Sequence, residues 1–187
     1  MFYLNEKQKM LANLLHDPMG GEIDEDRTAV LDLCSELNRL RPSEIEKRNE
    51  LLRKILPHAQ EPFTINPPFT VDIGYNTYIG SNFIAGYDLM IFDYARVTIG
   101  ERVTIGSRCM MATSMHPWGT VKRNTYVIYI LPITIGNDVW IGSGVKIIGG
   151  VTIGNNVVIE SGSVVTKNIP DNSYASGNPC RVVRSLV

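Results

Sequence analysis

The sequence predicts a mainly β protein, a parallel β-helix with a small N-terminal helical cap and one long loop extruded from the solenoid. Three observations support this fold class: helical spacing of apolar residues in the first third of the chain, a six-residue repeat in the rest, and one interruption of that repeat. We divide the chain into a cap at 1–60, a linker at 61–70 and a β-helix at 71–187, which includes the loop 112–132 and a C-terminal tail.

The cap is predicted from apolar residues that recur at steps of three and four, the spacing of one helical face. These residues are Val30, Leu33, Leu37 and Leu40. Before them the segment DPMGG is a loop signal, which separates this helix from a short one at the N-terminus.

A further cap helix is predicted after Pro42. Ser43 is expected to be its N-cap, with Glu46 completing a capping box. This helix would turn Ile45, Leu52 and Ile55 inward and end before the proline that follows.

The β-helix is predicted from anchors that recur every six residues and are mostly followed by glycine. The earlier anchors are Ile73, Ile79, Ala85, Ile91 and Val97, then, after a shift of two residues, Ile99 and Ile105. Six later anchors continue without a break: Ile135, Ile141, Ile147, Ile153, Ile159 and Val165. Neither the helical period nor simple alternation gives a step of six, whereas a triangular solenoid with six residues per side does. An antiparallel meander is the alternative, and six consecutive anchors in phase disfavour it.

The loop 112–132 interrupts the repeat and contains the only histidine of the repeat region, His116. A loop of this length in a regular solenoid is usually functional. Trp118 and Tyr126 in the same loop either line a substrate cleft or anchor the loop by packing.

Composition sets limits on location and partners. The chain has 187 residues, 44% of them hydrophobic, and a formal net charge of −1, which gives no reason to expect nucleic acid or an anionic membrane as a partner. No segment approaches the roughly 20 apolar residues of a spanning helix, and the N-terminus lacks a signal-peptide pattern. The three cysteines, Cys34, Cys109 and Cys180, are expected to be reduced thiols. We therefore expect a cytoplasmic protein.

Several segments resemble the maltose and galactoside O-acetyltransferase family of hexapeptide-repeat acyltransferases. In the cap these are KMLANLLHDPMGGEIDEDR and RPSEIEKRNELL; in the core they are NFIAGYDLMIFD, the His116-Pro117 pair, PITIGNDVWIGSGVKIIGGVTIGNNVVIESGSVVTKNIP and GNPCRVVR. The resemblance implies a left-handed coil, a homotrimer with active sites at subunit boundaries, and acetyl-CoA as acetyl donor.

The resemblance also implies the roles of individual residues. His116 would be the general base that removes the proton of an acceptor hydroxyl, and histidine titrates in the useful range. Backbone N–H groups near Ser143 would stabilise the developing oxyanion. The acceptor pocket would be formed by Asp17, Arg27, Asp72 and Asp93. Surface ion pairs in the cap and solvated corner residues in the solenoid are the alternative interpretations of these four.

Coenzyme A contacts fall on a further set of positions in the family. They are Ser143, Ser161, Thr166, Lys167, Arg181 and Arg184. The cationic members suit the phosphates of CoA, and a solvated C-terminal charge pair is the alternative for the two arginines.

The chain departs from the family pattern in two places. Gly86 stands where asparagine is usual, and Asp88 also replaces an asparagine. Loss of one donor can cost about 2–4 kcal/mol of transition-state stabilisation if nothing replaces it. The segment 127–131 is apolar where sugar acetyltransferases carry an acidic residue, so we expect a drier pocket wall and an acceptor that need not be maltose or a galactoside.

Three other functions are alternatives to an O-acetyltransferase. The first is a xenobiotic acetyltransferase, which normally lacks this cap. The second is a non-catalytic relative that binds CoA but has lost turnover through Gly86. A zinc hydratase of this fold needs three clustered histidines, and two of the three here, His16 and His58, lie in the cap, so no metal is expected.

Overall fold

The computed structural model describes residues 3–187, which fold into a helical cap seated on one end of a three-sided solenoid. The helices are α1 (Glu6–Leu11), α2 (Glu22–Leu37), α3 (Ile45–Ile55) and the short α4 (Thr120–Arg123). Within these residues, no helix has both the length and the apolar character that crossing a membrane would require.

The solenoid has three faces of parallel strands, and the chain passes from face 2 to face 3 to face 1 in every coil. Face 1 contains β1 (His58–Ala59), β4 (Thr77–Ile79), β7 (Val97–Ile99), β12 (Ile133–Ile135) and β15 (Thr152–Ile153). Face 2 contains the parallel strands β2 (Phe63–Ile65), β5 (Phe83–Ala85), β8 (Thr104–Ile105), β13 (Trp140–Ile141), β16 (Val158–Ile159) and β18 (Ser173–Gly177). The last strand, β19 (Cys180–Ser185), pairs antiparallel with β18 at the edge of this face. Face 3 contains β3 (Phe69–Val71), β6 (Leu89–Phe92), β9 (Met110–Ala112), β14 (Lys146–Ile148) and β17 (Val164–Val165). The antiparallel pair β10 (Ser114–Met115) and β11 (Tyr129–Ile130) lies outside these faces.

The repeating anchors form the core of the solenoid. Ile141 pairs in register with Ile105 above it and Ile159 below it, and these three side chains are fully or almost fully buried. Fully burying one such side chain contributes roughly 1.5–3 kcal/mol. Stacking of identical anchors therefore explains why the six-residue period is kept through the later coils.

The two-residue phase shift in the sequence has a structural cause. Eight residues separate Val71 from Ile79 across the corner between faces 3 and 1, whereas six separate Ile147 from Ile153 at the same corner. Ile73 is therefore not a solenoid anchor, contrary to the sequence interpretation. It is buried in a second small core with residues of the cap.

Residues 58–71, which the sequence analysis divided among cap, linker and β-helix, hold three strands of the solenoid. β1 pairs with β4, β2 with β5, and β3 with β6. The coiled region therefore begins before residue 71.

The predicted start of α3 is wrong in detail. The helix begins at Ile45 with Glu44 as N-cap residue and no side-chain capping bond, so Ser43 forms no capping box. The Glu44 carboxylate instead accepts from the backbone N–H of Arg41 at 2.8 Å. Ile45 is 52% exposed, whereas Leu52 and Ile55 are buried as predicted.

Candidate active site

The corner between faces 3 and 1 holds two of the four predicted acceptor residues, Asp72 and Asp93. Asp72 follows β3, Asp93 follows β6, and the loop 112–132 leaves after β9. Because these strands are stacked neighbours on face 3, their ends meet at one corner. We call it the flap corner, and we call residues 112–132 the flap.

His116 lies directly after β10 at the outer part of the flap. Ser114 pairs with Ile130 and Met115 with Tyr129, so a short antiparallel ladder fixes the residue before it. His116 itself is exposed, while the following Pro117 is buried. An imidazole presented in this way is accessible to a substrate.

Two of the three aromatic residues of the flap, Trp118 and Tyr126, face outward. Trp118 is 94% exposed and Tyr126 is 75% exposed. Neither packs as an anchor in this chain, so the packing interpretation of the sequence analysis is not supported for them.

The apolar segment 127–131 serves mainly as the base of the flap. Ile128 and Ile130 are buried in the second core, and His16 exchanges backbone hydrogen bonds with Ile128 at 3.5 and 3.0 Å. Only Tyr129 and Leu131 present about two fifths of their surface. The drier wall expected from this segment therefore reduces to those two side chains.

Arg27 and Asp72 form an ion pair across the cap and the flap corner. Nε of Arg27 donates to Oδ1 of Asp72 at 3.0 Å, and the two side chains are 33% and 7% exposed. Burial raises the pKa of Asp72, and the guanidinium opposes that rise. Asp17 stands in the loop before α2, where Oδ1 accepts from the N–H of Met19 at 2.9 Å.

Asp93 lies beneath the flap corner and has no exposed surface. Its carboxylate accepts from the N–H groups of Ile73 at 2.8 Å and Gly74 at 2.9 Å, and from the hydroxyl of Thr77 at 2.8 Å. Burial nevertheless raises its pKa to about 6. Its observed role is to hold the preceding coil in shape, and it is not the solvated corner residue of the alternative interpretation. Because this carboxylate is fully covered, an acceptor could contact it only if the covering residues moved.

The corner between faces 2 and 3 carries a groove of about 570 Å³. Its lining is Tyr87, Asp88, Ser107, Arg108, Ser143 and Gly144. We call this the groove corner. Serines of successive coils stack along it, with the backbone N–H of Ser107 donating to Oγ of Ser143 at 3.2 Å. No acceptor among residues 3–187 takes the backbone N–H of Ser143, so this donor is available to a ligand.

The remaining predicted CoA residues are divided between both corners and face 2. Ser161 continues the serine stack of the groove corner, whereas Thr166 and Lys167 follow β17 at the flap corner. Arg184 in β19 lies 5.1 Å from the ring centroid of Tyr174, and Arg181 donates to the carbonyl of Cys180 at 2.7 Å. The chain thus does not bring these residues together in a single cleft of its own.

The flap corner and the groove corner are the two edges of face 3. Ser107 and Arg108 turn at the groove corner, and β9 then crosses face 3 towards Thr113 at the flap corner. His116 lies in the flap, beyond that corner. The histidine and the groove of one chain therefore lie at opposite edges of face 3.

The three histidines lie at separate places. His16 is buried under the flap base, and His58 in β1 stacks on Tyr78 with ring centroids 4.4 Å apart. Across the described part of the chain, no group of three or more His, Cys, Asp and Glu side chains could hold a metal ion.

The sequence analysis missed four groove residues: Tyr87, Ser107, Arg108 and Gly144. A signal for Ser107 was present, because Ile105-Gly106-Ser107 repeats the pattern of Ile141-Gly142-Ser143 one coil away. Tyr87 and Arg108 stand at corner positions that the repeat alone leaves unspecified.

Comparisons with known protein families match three parts of the chain. Residues 9–60 match the maltose acetyltransferase hexapeptide capping motif, and residues 132–167 match the bacterial transferase hexapeptide (six repeats). Residues 96–115 match the hexapeptide repeat of succinyl-transferase. The cap and the solenoid are therefore both recognised, each in its own part of the chain.

Individual relatives cover nearly the whole chain. The galactoside O-acetyltransferase of Escherichia coli is 41% identical over 96% of this chain and 88% of its own length. The crystal structure of a maltose O-acetyltransferase from Clostridium difficile 630 superposes with a TM-score of 0.96 at 37% identity, covering 98% of each chain. A galactoside acetyltransferase in complex with coenzyme A gives a TM-score of 0.95 at 40% identity, covering 99% of this chain and 92% of that one. These likenesses confirm the left-handed parallel β-helix, and the chain belongs to the hexapeptide-repeat acetyltransferases of the maltose and galactoside type.

Proposed function

We propose that the protein transfers an acetyl group from acetyl-CoA to a hydroxyl of a sugar or a related small molecule, with His116 as the general base. The observation that carries this proposal is the exposed imidazole on a structured flap in a chain whose cap and coils both match acetyltransferases. A relative of the same fold binds coenzyme A. The donor is therefore inferred to be acetyl-CoA.

The proposed reaction needs one base and one oxyanion site. The imidazole of His116 accepts the proton of the acceptor hydroxyl while that oxygen attacks the thioester carbon. The C–S bond then breaks, and the leaving CoA thiolate takes the proton back from the imidazolium. No acyl-enzyme is required, and the protein ends in its starting protonation state.

The oxyanion that forms during attack needs a fixed donor. The backbone N–H of Ser143 has no protein partner among the described residues and opens on the groove. A preorganised N–H in such a place stabilises negative charge that develops in the transition state. We propose this group as one oxyanion donor.

The distance between the two corners favours a site shared by two chains. A homotrimer with closed threefold symmetry would place the flap corner of one subunit against the groove corner of the next. Each of the three interfaces would then hold one complete site. Thr166 and Lys167 at the flap corner and Ser143 and Ser161 at the groove corner would contact the same CoA molecule from two sides.

The acceptor is proposed to bind between the cap and the flap. Arg27, Asp72 and Asp17 supply charged and polar groups there, and Tyr129 and Leu131 supply half-exposed apolar surface. Asp93 would support this pocket from below through the bonds already described. A polyol with one apolar face, or a glycoside with an apolar aglycone, suits such a mixed lining.

The experiment that tests this function is CoA release with a panel of sugars, glycosides and alcohols. Cys34, Cys109 and Cys180 are all buried, so a thiol reagent should report released CoA with little background. The native protein is compared with His116→Ala and with Val121→Ala, an exposed flap position. Activity is expected in the native protein and the control, with a loss of at least 100-fold in His116→Ala. Equal activity in all three would contradict the role of His116.

A second candidate follows from Gly86, which has no side chain to orient the reacting groups. A protein that bound CoA but released no thiol with any acceptor would be the non-catalytic relative described above. The same panel separates the two candidates.

A further inference from the structure

Gly86 and Ser107 form a matched pair at the groove corner. A Cβ atom on residue 86 would lie 2.6 Å from Oγ and 2.8 Å from N of Ser107. Side-chain carbons do not approach other atoms so closely, so residue 86 could carry a side chain only if Ser107 moved. The Ser107 hydroxyl therefore occupies the space into which a side chain at position 86 would project.

The hydrogen bonds of Ser107 leave its proton unused. Its Oγ accepts from the backbone N–H of Tyr87 at 3.1 Å, which orients the hydroxyl oxygen. None of the described residues accepts from the Ser107 hydroxyl, and Ser107 lines the groove. A hydroxyl carries one donor besides its acceptor capacity. The bond from Tyr87 fixes the position of the oxygen, and the O–H donor has no acceptor among residues 3–187.

We propose that the Ser107 hydroxyl donates a hydrogen bond to the thioester carbonyl oxygen of acetyl-CoA, and so supplies from the next coil the side-chain donor that Gly86 lacks. This inference rests on the proposed function, because it assigns a donor to the reaction proposed there. A donor at the carbonyl oxygen gains strength as negative charge develops during attack.

The neighbours of Ser107 are less suited to this role. Arg108 is an exposed side chain that makes no ion pair among residues 3–187. A long mobile cation provides less fixed geometry than a hydroxyl held by a backbone bond. The Ser143 hydroxyl, which likewise accepts a backbone N–H, lies one coil further from Gly86 along the corner. Ser107 is thus the hydroxyl that adjoins the empty position at Gly86.

The first test removes the hydroxyl. Ser107→Ala is expected to lower kcat by about 100-fold, the usual loss for one oxyanion donor, with KM for acetyl-CoA changed less than about threefold. Ser81→Ala, which removes a serine hydroxyl at a corner outside the proposed site, is the matched control and should retain native kcat. Thermal midpoints of both variants report whether the coil is intact.

The second test keeps a hydroxyl at residue 107. Ser107→Thr retains a side-chain donor of the same kind, so its kcat should stay at least tenfold above that of Ser107→Ala. A purely structural role for Ser107 would leave the larger Ser107→Thr no better than Ser107→Ala.

A third readout is independent of turnover. The infrared carbonyl band of bound acetyl-CoA should lie at lower frequency in the native protein than in Ser107→Ala, because a hydrogen bond weakens the C=O stretch. Unchanged kcat and an unchanged band in Ser107→Ala would overturn the inference and leave the proposed function standing. A native protein that binds no acetyl-CoA would overturn both.

Discussion

Arg27 of α2 donates from Nε to Oδ1 of Asp72 at 3.0 Å, which joins the helical cap to the corner of the solenoid that carries the flap. Asp72 is almost fully buried, so its charge depends on this partner. Burial raises the pKa of Asp72, and the pair with Arg27 opposes it. The cap is therefore joined to the flap corner through a buried carboxylate.

The pair predicts a large loss when only one partner is removed. Arg27→Met should lower the free energy of unfolding by about 2–4 kcal/mol, because it leaves a buried carboxylate uncompensated. The double variant Arg27→Met/Asp72→Asn should lose clearly less free energy of unfolding than Arg27→Met alone, because no buried charge is left. Lys47→Met, which removes an ion pair with Glu36 between half-exposed side chains, should cost less than about 1 kcal/mol. Chemical denaturation of the four proteins checks this, and equal losses in the first and last would contradict it.

Asp93 predicts a pH dependence of stability. Its pKa of about 6 lies above the ordinary value, so between about pH 4 and 6 the folded state binds more protons than the unfolded state. The contribution of Asp93 to stability is therefore greatest at low pH and is lost as the pH rises through 6. The free energy of unfolding of the native protein minus that of Asp93→Asn should fall by about 2 kcal/mol between pH 4.5 and 7.5. A flat or rising difference would show that the three donors keep the carboxylate ionised.

Coil spacing predicts which glycines tolerate a methyl group. A Cβ at Gly136 would lie 2.7 Å from the backbone of Gly154 in the next coil, whereas Gly119 in the flap has open space around it. Gly136→Ala should destabilise by about 2–3 kcal/mol through overpacking, and Gly119→Ala by less than about 0.5 kcal/mol. Thermal unfolding of the two variants measures the difference. If Gly136→Ala had little effect on stability, stacked coils could move apart at a small cost in free energy.

The base of the flap predicts a link between packing and turnover. Ile130→Ala opens a cavity in the second core and should cost about 2–4 kcal/mol, mainly by releasing the flap. Trypsin should then cut faster after Lys122 or Arg123 in α4, and kcat should fall at least tenfold because His116 loses its support. Val121→Ala, at an 85% exposed flap position, should change neither. If trypsin cut Ile130→Ala no faster than the native protein, packing of Ile130 in the second core would not be what holds the flap in place.

The solenoid could be predicted from sequence because every coil must bury an anchor on each side, so the period is imposed by packing. Ile141 and Ile159, three steps of six apart, stack directly in register, and both are buried. The exception is Ile73, which keeps the six-residue step to Ile79 by coincidence. A two-residue extension of the corner moves its side chain into the second core.

Local capping was less predictable. Ser43 has the right residue type and spacing, but Glu44 next to it bonds Arg41 and takes the N-cap position. The short helix α1, by contrast, has a complete capping box between Asn5 and Gln8 that the sequence analysis did not identify. Which residue caps a helix depends on how neighbouring polar side chains compete for the same backbone N–H groups, and the sequence does not show their geometry.

Motifs in the sequence select individual residues of the candidate site, but they do not predict how those residues are arranged in space. His116 and Ser143 could be selected from motifs, whereas their placement on opposite edges of face 3 depends on counting around coils of unequal length. The role proposed for Ser107 depends on its contact with Gly86, which stands twenty-one residues earlier. This contact arises only when two coils stack, so the residue order does not reveal it.

Mixed oligomers test whether His116 of one chain acts at the groove of its neighbour. His116→Ala lacks the base, and Ser143→Tyr fills the groove with a ring, so each homo-oligomer should be inactive. Random reassembly of equal amounts should restore about a quarter of native CoA release, because in a closed ring one interface in four then joins an intact flap to an intact groove. Activity that stays at the level of the two separate variants would contradict a site shared between chains.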